Sequence, residues 1–186
     1  MQNPRIVTAQ LQHIADILAL YSQGFYNHGD LGWSEHRLEY CMGSESHRMT
    51  VALNAGDEVM GFALMRLDGQ EAQLELLAVH QMVRRCGIGS VLLGDMLSIA
   101  QRYQLPQFQA NVKASNLKAI QFYQSHNFSA CQIIPRYYGG KHHALRMVKN
   151  LSEGECNTEQ RTTNTEHRTP NTEHRTPNTE QHTIQQ

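Results

Sequence analysis

A turn that carries both arginine and glycine lies near the middle of the chain and constrains the fold more than any other segment. The turn, Arg84-x-x-Gly87-x-Gly89, follows an apolar run of strand length, Leu74–Val79, and precedes apolar residues at helical spacing in Ile88–Leu97. The first amide groups of such a helix have no intrahelical partner, and the positive end of the helix dipole lies beside them. Because glycines leave these amides uncovered, the sequence predicts a strand–turn–helix unit that binds a phosphate group.

The two arginines of the turn strengthen this prediction. Arg84 and Arg85 lie at the positive end of the helix, where acidic residues are usually favoured by a few tenths to ~1 kcal/mol. A bound anion would reverse that penalty, and guanidinium groups suit phosphate. The alternative is a glycine-containing turn with two solvated arginines. No Gly-Lys-Ser/Thr follows the glycines, and Leu92 stands where a dinucleotide fingerprint needs its third glycine, so both of those phosphate motifs are excluded.

Four segments, taken together and in order, resemble the GNAT superfamily of N-acetyltransferases, and their pattern is most similar to the branch that acetylates the N-terminal alanine of ribosomal proteins. They are Trp33-Ser34-Glu35, the turn with Val79 before it, Asn116-x-x-Ala119-x-x-Phe122-Tyr123 with Asn127-Phe128 after it, and Tyr137-Tyr138 followed by Ala144-Leu145-Arg146-Met147. The turn pattern is only moderately specific alone. The four segments cover about residues 4–150, and their agreement in order is what carries the resemblance.

The resemblance implies an α/β (α+β) fold of GNAT type over residues 1–151. The expected architecture is a mixed, mostly antiparallel sheet of six to seven strands, split near its middle and flanked by about four helices. The implied activity is direct transfer of the acetyl group of acetyl-CoA to a primary amine, with a protein N-terminal α-amine as the acceptor that the branch favours. Two alternatives stay open, namely a small amine or amino acid as acceptor, and a module that binds or senses acetyl-CoA without catalysis.

The resemblance also implies roles for individual residues. The cofactor-binding residues would be the strand end, the turn and the first residue of the last predicted helix: Leu77, Ala78, Val79, Arg84, Arg85, Cys86, Gly87, Ile88, Gly89, Ser90 and Asn116. At Leu77–Val79 the main chain rather than the side chains would pair with the pantetheine arm. Asn116 is also a plausible ordinary N-cap. Tyr123 would be the general acid for the departing thiolate, with core packing as its alternative.

The general base is where the sequence departs from the branch. Asn111 occupies the position where the branch carries a carboxylate, and an amide cannot accept the proton. Glu75 is the candidate replacement, with a solvent-facing strand residue as its alternative, and His80 acting through water is a second candidate. Asn127 replaces the family's glycine, which is tolerable because asparagine adopts left-handed backbone conformations more readily than most residues.

The remaining patterns predict the order of elements. Strands are expected at Arg5–Thr8, Thr50–Leu53, Val59–Leu67, Gln73–Val79, Gln107–Val112, Ala130–Ile134 and Ala144–Lys149, and helices from Thr8 or Ala9 to Gly24, from Ser34 to Met42, at Ile88–Tyr103 and from Ser115 or Asn116 to His126. His142 and His143 have no spacing partner and stay unassigned.

Residues 152–186 differ abruptly from the rest of the chain. The heptapeptide Asn-Thr-Glu-His-Arg-Thr-Pro occurs at Asn164–Pro170 and again at Asn171–Pro177, with imperfect copies on both sides. The seven-residue period has no apolar positions for a coiled coil, and its prolines recur. Since such a segment buries too little apolar surface to offset its ordering entropy, we expect a disordered tail.

Composition narrows the partners and the compartment. The net charge of −1 and the pI near 6.8 give no electrostatic basis for binding nucleic acid or an anionic membrane. No run approaches the ~20 apolar residues of a membrane span, and no signal peptide follows Met1. The four cysteines, Cys41, Cys86, Cys131 and Cys156, show no metal-binding or disulfide spacing. We therefore expect a cytoplasmic protein with reduced thiols and no metal.

Overall fold

The computed structural model describes residues 4–25 and 32–151, so the expected tail and most of the expected loop Asn27–Gly32 lie outside the described residues. Over these ranges the chain forms seven strands and four α-helices. In chain order they are β1 (Arg5–Thr8), α1 (Ile14–Phe25), α2 (Glu35–Gly43), β2 (His47–Leu53), β3 (Val59–Leu67), β4 (Glu71–Val79), α3 (Ile88–Arg102), β5 (Gln107–Lys113), α4 (Leu117–Ser125), β6 (Ser129–Tyr138) and β7 (His142–Asn150). Short 3₁₀ turns precede α1, at Leu11–His13, and α3, at Gln81–Val83.

The seven strands form one sheet in the order β1-β2-β3-β4-β5-β7-β6. All neighbouring strands are antiparallel except β4 and β5, which are parallel because α3 forms the crossover between them. This arrangement confirms the predicted mixed, mostly antiparallel fold.

Two hydrophobic cores lie on the two faces of the sheet. On one face, α3 and α4 pack over residues such as Ala63 and Met65 of β3. On the other face, α1 and α2 pack over the alternate residues Phe62 and Leu64. We call the second face the acceptor face, because the resemblance to GNAT proteins implies that α1 and α2 would border the amine acceptor. Successive side chains of a strand point to opposite faces of the sheet, which explains why neighbouring residues belong to different cores.

The sheet splits between β4 and β5, as predicted. Their parallel pairing runs from Glu71 with Gln107 to Leu74 with Ala110 and ends there. At the same point β4 contains a bulge, since Leu64 and Met65 of β3 pair with Leu76 and Leu74 and leave Glu75 without an opposite residue. A bulge bends its strand and increases the local twist. The bulge therefore lies where the two strands separate.

Several predicted boundaries were wrong. Residues 9–13 do not begin the first helix but form a link and a 3₁₀ turn, and α1 continues through Gly24 to Phe25. Strands β2 and β4 begin earlier than predicted, at His47 and Glu71. The largest error concerns β6, which continues to Tyr138 despite an irregular pairing after Ile134 and a positive φ of 53° at Arg136. Such irregularity removes the alternation by which a strand is recognised in sequence.

Among the described residues, no helix has both the length and the apolar character needed to cross a bilayer.

Candidate active site

A cleft of about 1310 Å³ opens where β4 and β5 separate. Its lining includes the end of β4, the turn before α3, the end of β5, and α4. Pockets for drug-sized ligands usually measure ~300–1,000 Å³, so this cleft has room for a large ligand and a second molecule beside it.

The predicted phosphate-binding turn forms one end of the cleft. Gly87 has a φ of 82° and directly precedes α3, where no side chain caps the helix and the first turn contains no acidic residue. Arg85 also has a positive φ, 64°, which costs a non-glycine residue ~1–2 kcal/mol. Two left-handed residues and an uncapped helix start leave the amides of the first turn available to an anion.

Glycine is required at only one of the two positions in the turn. Gly87 adopts the left-handed conformation that side chains disfavour. A Cβ at Gly89 would instead lie 3.6 Å from the ring of Phe122 and 3.7 Å from Val79, which are ordinary contacts. The sequence analysis predicted that both glycines keep the amides accessible. In the structure, only the backbone conformation of Gly87 requires glycine.

The main chain of β4 borders the cleft beyond the split. Because pairing with β5 ends at Leu74, the edge of β4 over residues 75–79 faces the cleft instead of a strand. One group on this segment is occupied, since Nε of Arg84 donates to the carbonyl of Val79 at 3.2 Å. The remaining edge has the exposed main-chain groups that the sequence analysis expected to pair with pantetheine.

Helix α4 forms the wall that faces the turn. Asn116 is its N-cap, and the side-chain oxygen accepts from the amide of Ala119 at 3.2 Å. The N-cap interpretation is therefore confirmed, and since Asn116 also lines the cleft, its role as a ligand to the cofactor stays a prediction. Asn127, just after α4, has a φ of 63°, as expected for a residue that replaces glycine.

Tyr123 of α4 belongs both to the core and to the cleft. Its residue is 8% exposed, and its ring packs edge-on against Phe122 and Phe128 with centroid distances of 5.3 and 5.4 Å. It also lines the cleft. Burial raises the pKa of Tyr123 above its ordinary value of 10, so the phenol keeps its proton near neutral pH and can act as a hydrogen-bond donor.

Glu75, the bulged residue of β4, lies in the cleft on the acceptor face. Its carboxylate is 3.7 Å from Nε2 of His47 and 3.8 Å from Nε of Arg66, and its side chain is 20% exposed. The oxygen Oε2 is buried and has no hydrogen-bond partner among the described residues. Burial lowers the pKa of His47, an effect that Glu75 opposes and Arg66 reinforces. The interpretation of Glu75 as an ordinary solvent-facing strand residue is therefore incorrect.

Cys41, His47 and Glu75 form a cluster that the sequence did not indicate. One donor atom from each lies within 4.8 Å of the others, a set of ligand types that zinc accepts. Burial and the nearby Glu75 raise the pKa of the Cys41 thiol, an effect that Arg37 opposes. Since Arg66 already neutralises the carboxylate from the other side, we assign no metal to this cluster.

Asn111 faces the cleft from β5, opposite Arg146 of β7. Its side-chain oxygen accepts from Nε of Arg146 at 3.3 Å, and its backbone carbonyl accepts from the hydroxyl of Tyr138 at 2.7 Å. The other candidate base, His80, does not line the cleft, and its Nδ1 accepts from the amide of Met82 at 3.3 Å. Of the two candidate bases, only Glu75 therefore lies in the cleft.

The structure brings nearly all predicted site residues together. Every one of them lines the cleft except the candidate base His80 and the exposed residue Cys86. The contributions of His47, Arg66 and Arg146 could not be found from spacing, because each comes from a different strand. Arg146 lay within a recognised segment, but nothing in the sequence linked it to Asn111, 35 residues away.

Comparisons with known proteins agree with this geometry. The profile of the Acetyltransferase (GNAT) family matches residues 14–128. The chain is 30% identical over 107 residues to the [ribosomal protein bS18]-alanine N-acetyltransferase of Salmonella typhimurium, covering 57% of this chain and 70% of the relative. It is 37% identical over 78 residues to the peptidyl-lysine N-acetyltransferase YjaB of Escherichia coli, covering 42% of this chain and 47% of the relative.

A solved structure shows the same architecture. The crystal structure of Ard1 from Thermoplasma volcanium superposes with a TM-score of 0.71 at 24% identity, over 82% of this chain and all of that chain. At this identity the likeness establishes the fold. The family match covers more than half of the sequence and includes the turn, β4 and α4. This chain belongs to the GNAT family of acetyltransferases, enzymes that take their acetyl group from acetyl-CoA.

Proposed function

We propose that this enzyme transfers the acetyl group of acetyl-CoA to the α-amine of a protein N-terminus, with Glu75 as the base and Tyr123 as the donor to the thiolate. The observation that carries the proposal is the position of Glu75. Its carboxylate lies on the acceptor face, at the bulge beside the split, with one oxygen that has no hydrogen-bond partner among the described residues. The relative that acts on the N-terminal alanine of protein bS18 supports the choice of acceptor.

The pyrophosphate of acetyl-CoA is proposed to bind the turn, where Arg84 and Arg85 lie beside the uncapped start of α3. Guanidinium groups and amides at a helix start provide the positive charge and the hydrogen bonds that phosphates need. The pantetheine arm would then follow the exposed edge of β4 over residues 77–79. Asn116, at the start of α4, borders the same part of the cleft.

Glu75 is proposed to take the proton that the amine must lose. An α-amine has an ordinary pKa of ~7.7–8.0 and is ~10% neutral at pH 7, whereas a lysine side chain, at ~10.4, is less than about one part in a thousand neutral. The supply of reactive amine therefore differs by ~200-fold or more before any enzyme group acts. An α-amine therefore depends less on Glu75 as a base than a lysine side chain does.

Tyr123 is proposed to stabilise the departing sulfur. The neutral amine attacks the thioester carbonyl, the C–S bond breaks as the amide bond forms, and the proton that the attacking nitrogen loses balances the one that the CoA sulfur takes up. The negative charge then develops on sulfur, where the phenol of Tyr123 can donate a hydrogen bond. The main-chain groups of β4 at residues 77–79 would polarise the carbonyl oxygen.

The cytoplasm is the compartment that we propose for this reaction. Cys41, Cys86 and Cys131 are free thiols, and free thiols persist in a reducing compartment.

The test compares two peptides of equal length, one offering only an α-amine and the other only a lysine side chain. We expect the wild-type enzyme to prefer the α-amine at pH 7, with a rate that rises with pH until that amine has titrated. Glu75→Gln should lower kcat by a factor within the ~10²–10⁴ typical of a positioned base. Glu71→Gln is the matched control, since Glu71 lines the cleft on the same strand and pairs with Gln109.

Each possible contrary result points to a different alternative. Equal rates on the two peptides at pH 7 would contradict the proposed acceptor. Equal losses of kcat in Glu75→Gln and Glu71→Gln would show that Glu75 is not the base. Binding of acetyl-CoA without turnover on any amine would favour the non-catalytic module, and turnover confined to small amines would favour the other enzymatic alternative.

A further inference from the structure

The cleft carries more positive charge than the pyrophosphate of acetyl-CoA requires. Seven lysines and arginines line it against two glutamates. Arg84 and Arg85 belong to the turn, and Lys118 lies in the first turn of α4. Three further arginines, Arg37, Arg66 and Arg146, line other parts of the cleft, and they differ in the contacts that they already make.

Two arginines of the acceptor face are already engaged. Arg66 pairs with Asp68, at 3.5 Å, and with Glu75. Arg37 stacks on the ring of Trp33, with its guanidinium carbon 3.9 Å from the centroid. Both guanidinium groups therefore already have partners within the protein.

Arg146 differs because its contact is neutral. Its Nε donates to the side-chain oxygen of Asn111, and no carboxylate of the described residues lies within 4.0 Å of its guanidinium. The side chain is half-buried and lines the cleft. A guanidinium that uses Nε in this way retains its two terminal nitrogens, which can bind the two oxygens of one carboxylate.

The position of Arg146 relates this charge to the proposed chemistry. Arg146 lies directly across from Asn111 in the β5–β7 register. The neighbours of Asn111 along β5, Ala110 and Val112, face the core beneath α3 and α4, so Asn111 and Arg146 project towards the acceptor face. Glu75 projects to the same face from the other side of the split, since it contacts His47 and Arg66 there.

We propose that Arg146, held by Asn111, binds a carboxylate of the acceptor and so selects amines that carry a negative charge nearby. The inference rests on the proposed acetyl transfer and narrows its substrate class. A partly buried cation without an anionic partner is costly, and a ligand carboxylate would supply that partner. The carboxylate could belong to an acidic residue next to a peptide N-terminus or to a free amino acid.

The experiment measures kcat/KM for matched acceptors that differ by one charge. Ala-Asp-Ala-amide is compared with Ala-Asn-Ala-amide, and free Ala-Ala with Ala-Ala-amide, in the wild-type enzyme and in Arg146→Gln. A hydrogen-bonded pair with a charged group corresponds to about 10- to 150-fold, and we expect the wild type to prefer at least one anionic acceptor by a factor in this range. Because the two enzymes are compared by their ratios, differences in amine pKa cancel.

Two further variants separate charge from structure. Arg136→Gln removes the same charge from an exposed residue that does not line the cleft, and it should keep the preference. Arg146→Lys keeps the charge without the planar fork, and it should retain only part of the preference. The preference should disappear in Arg146→Gln, because the acceptor carboxylate then has no cation to bind.

A preference for Ala-Asp-Ala-amide over Ala-Asn-Ala-amide would identify an acidic side chain as the source of the carboxylate. A preference for Ala-Ala over Ala-Ala-amide would identify a free α-carboxylate. Binding of the four acetylated products to the CoA-bound protein is measured alongside turnover. Tighter binding of the anionic products to wild type than to Arg146→Gln, without turnover of any acceptor, would refute the proposed function and leave this inference standing. Equal affinities and equal kcat/KM for anionic and neutral members of both pairs would overturn it.

Discussion

Replacement of Tyr123 by phenylalanine tests the proposed chemistry most directly, because it removes one oxygen and keeps the ring. The ring packs against Phe122 and Phe128, and these contacts do not involve the hydroxyl. We therefore expect the thermal midpoint of Tyr123→Phe to stay within a few degrees of wild type, as for substitutions worth ~1 kcal/mol or less.

The expected loss of rate follows from the raised pKa. A thiol has an ordinary pKa of ~8.5, and burial raises the pKa of Tyr123 above 10. Complete proton transfer to the thiolate is then uphill by more than ~1.5 pK units, or ~2 kcal/mol. A hydrogen bond to the developing charge is worth ~1.5–3 kcal/mol. We therefore expect kcat to fall by about 10- to 150-fold, below the larger losses that full proton transfer can give.

The assay follows release of CoA thiol at saturating acetyl-CoA with a peptide that offers only an α-amine. The KM for acetyl-CoA should change little, because the interaction is made as the bond breaks. Tyr103→Phe is the matched control, since Tyr103 lies outside the cleft at the end of α3 and accepts a hydrogen bond from Arg48. If Tyr123→Phe keeps the kcat of the wild type, Tyr123 has only a structural role.

Two further predictions concern the turn and the end of the chain. Gly87→Val should raise the KM for acetyl-CoA several-fold or more, because Gly87 has a positive φ that valine disfavours. Gly89→Ala should have a smaller effect, because a Cβ fits at that position. Equal KM values in the two variants would contradict this interpretation of the turn. A chain ending at Leu151 should keep its thermal midpoint and turnover, because the amide of Leu151 still donates to the carbonyl of Pro106 and the repeats that follow are too polar to add a core; a drop of many degrees would show that they stabilise the domain.

The sequence was sufficient to predict features that depend on local chemistry. Asn116 caps its helix as expected, because an N-cap involves only the next three residues. Asn127 has the left-handed backbone expected where a glycine is replaced. The strand, turn and helix around Gly87 were likewise predicted from adjacent residues.

Features that depend on pairing between distant segments could not be predicted. Leu74 and Leu76 are two residues apart, which normally places them on one face, yet they belong to opposite cores. The bulge at Glu75 causes this change of face. Its position depends on the register with β3, and the apolar run that contains it shows no break at that point. The surroundings of Glu75 depend on the same register, because His47 and Arg66 reach it from β2 and β3.

Asn111 and Arg146 give a physical reason why the base would lie on β4 in this enzyme. A carboxylate at position 111, where the ribosomal-protein branch carries one, would lie directly across from Arg146 and pair with it. That pair would neutralise the guanidinium of Arg146. With an amide at this position, Arg146 keeps its charge for the acceptor while Asn111 still holds its Nε. The proposed proton acceptor would then lie on another element of the same face, where the bulge places the carboxylate of Glu75.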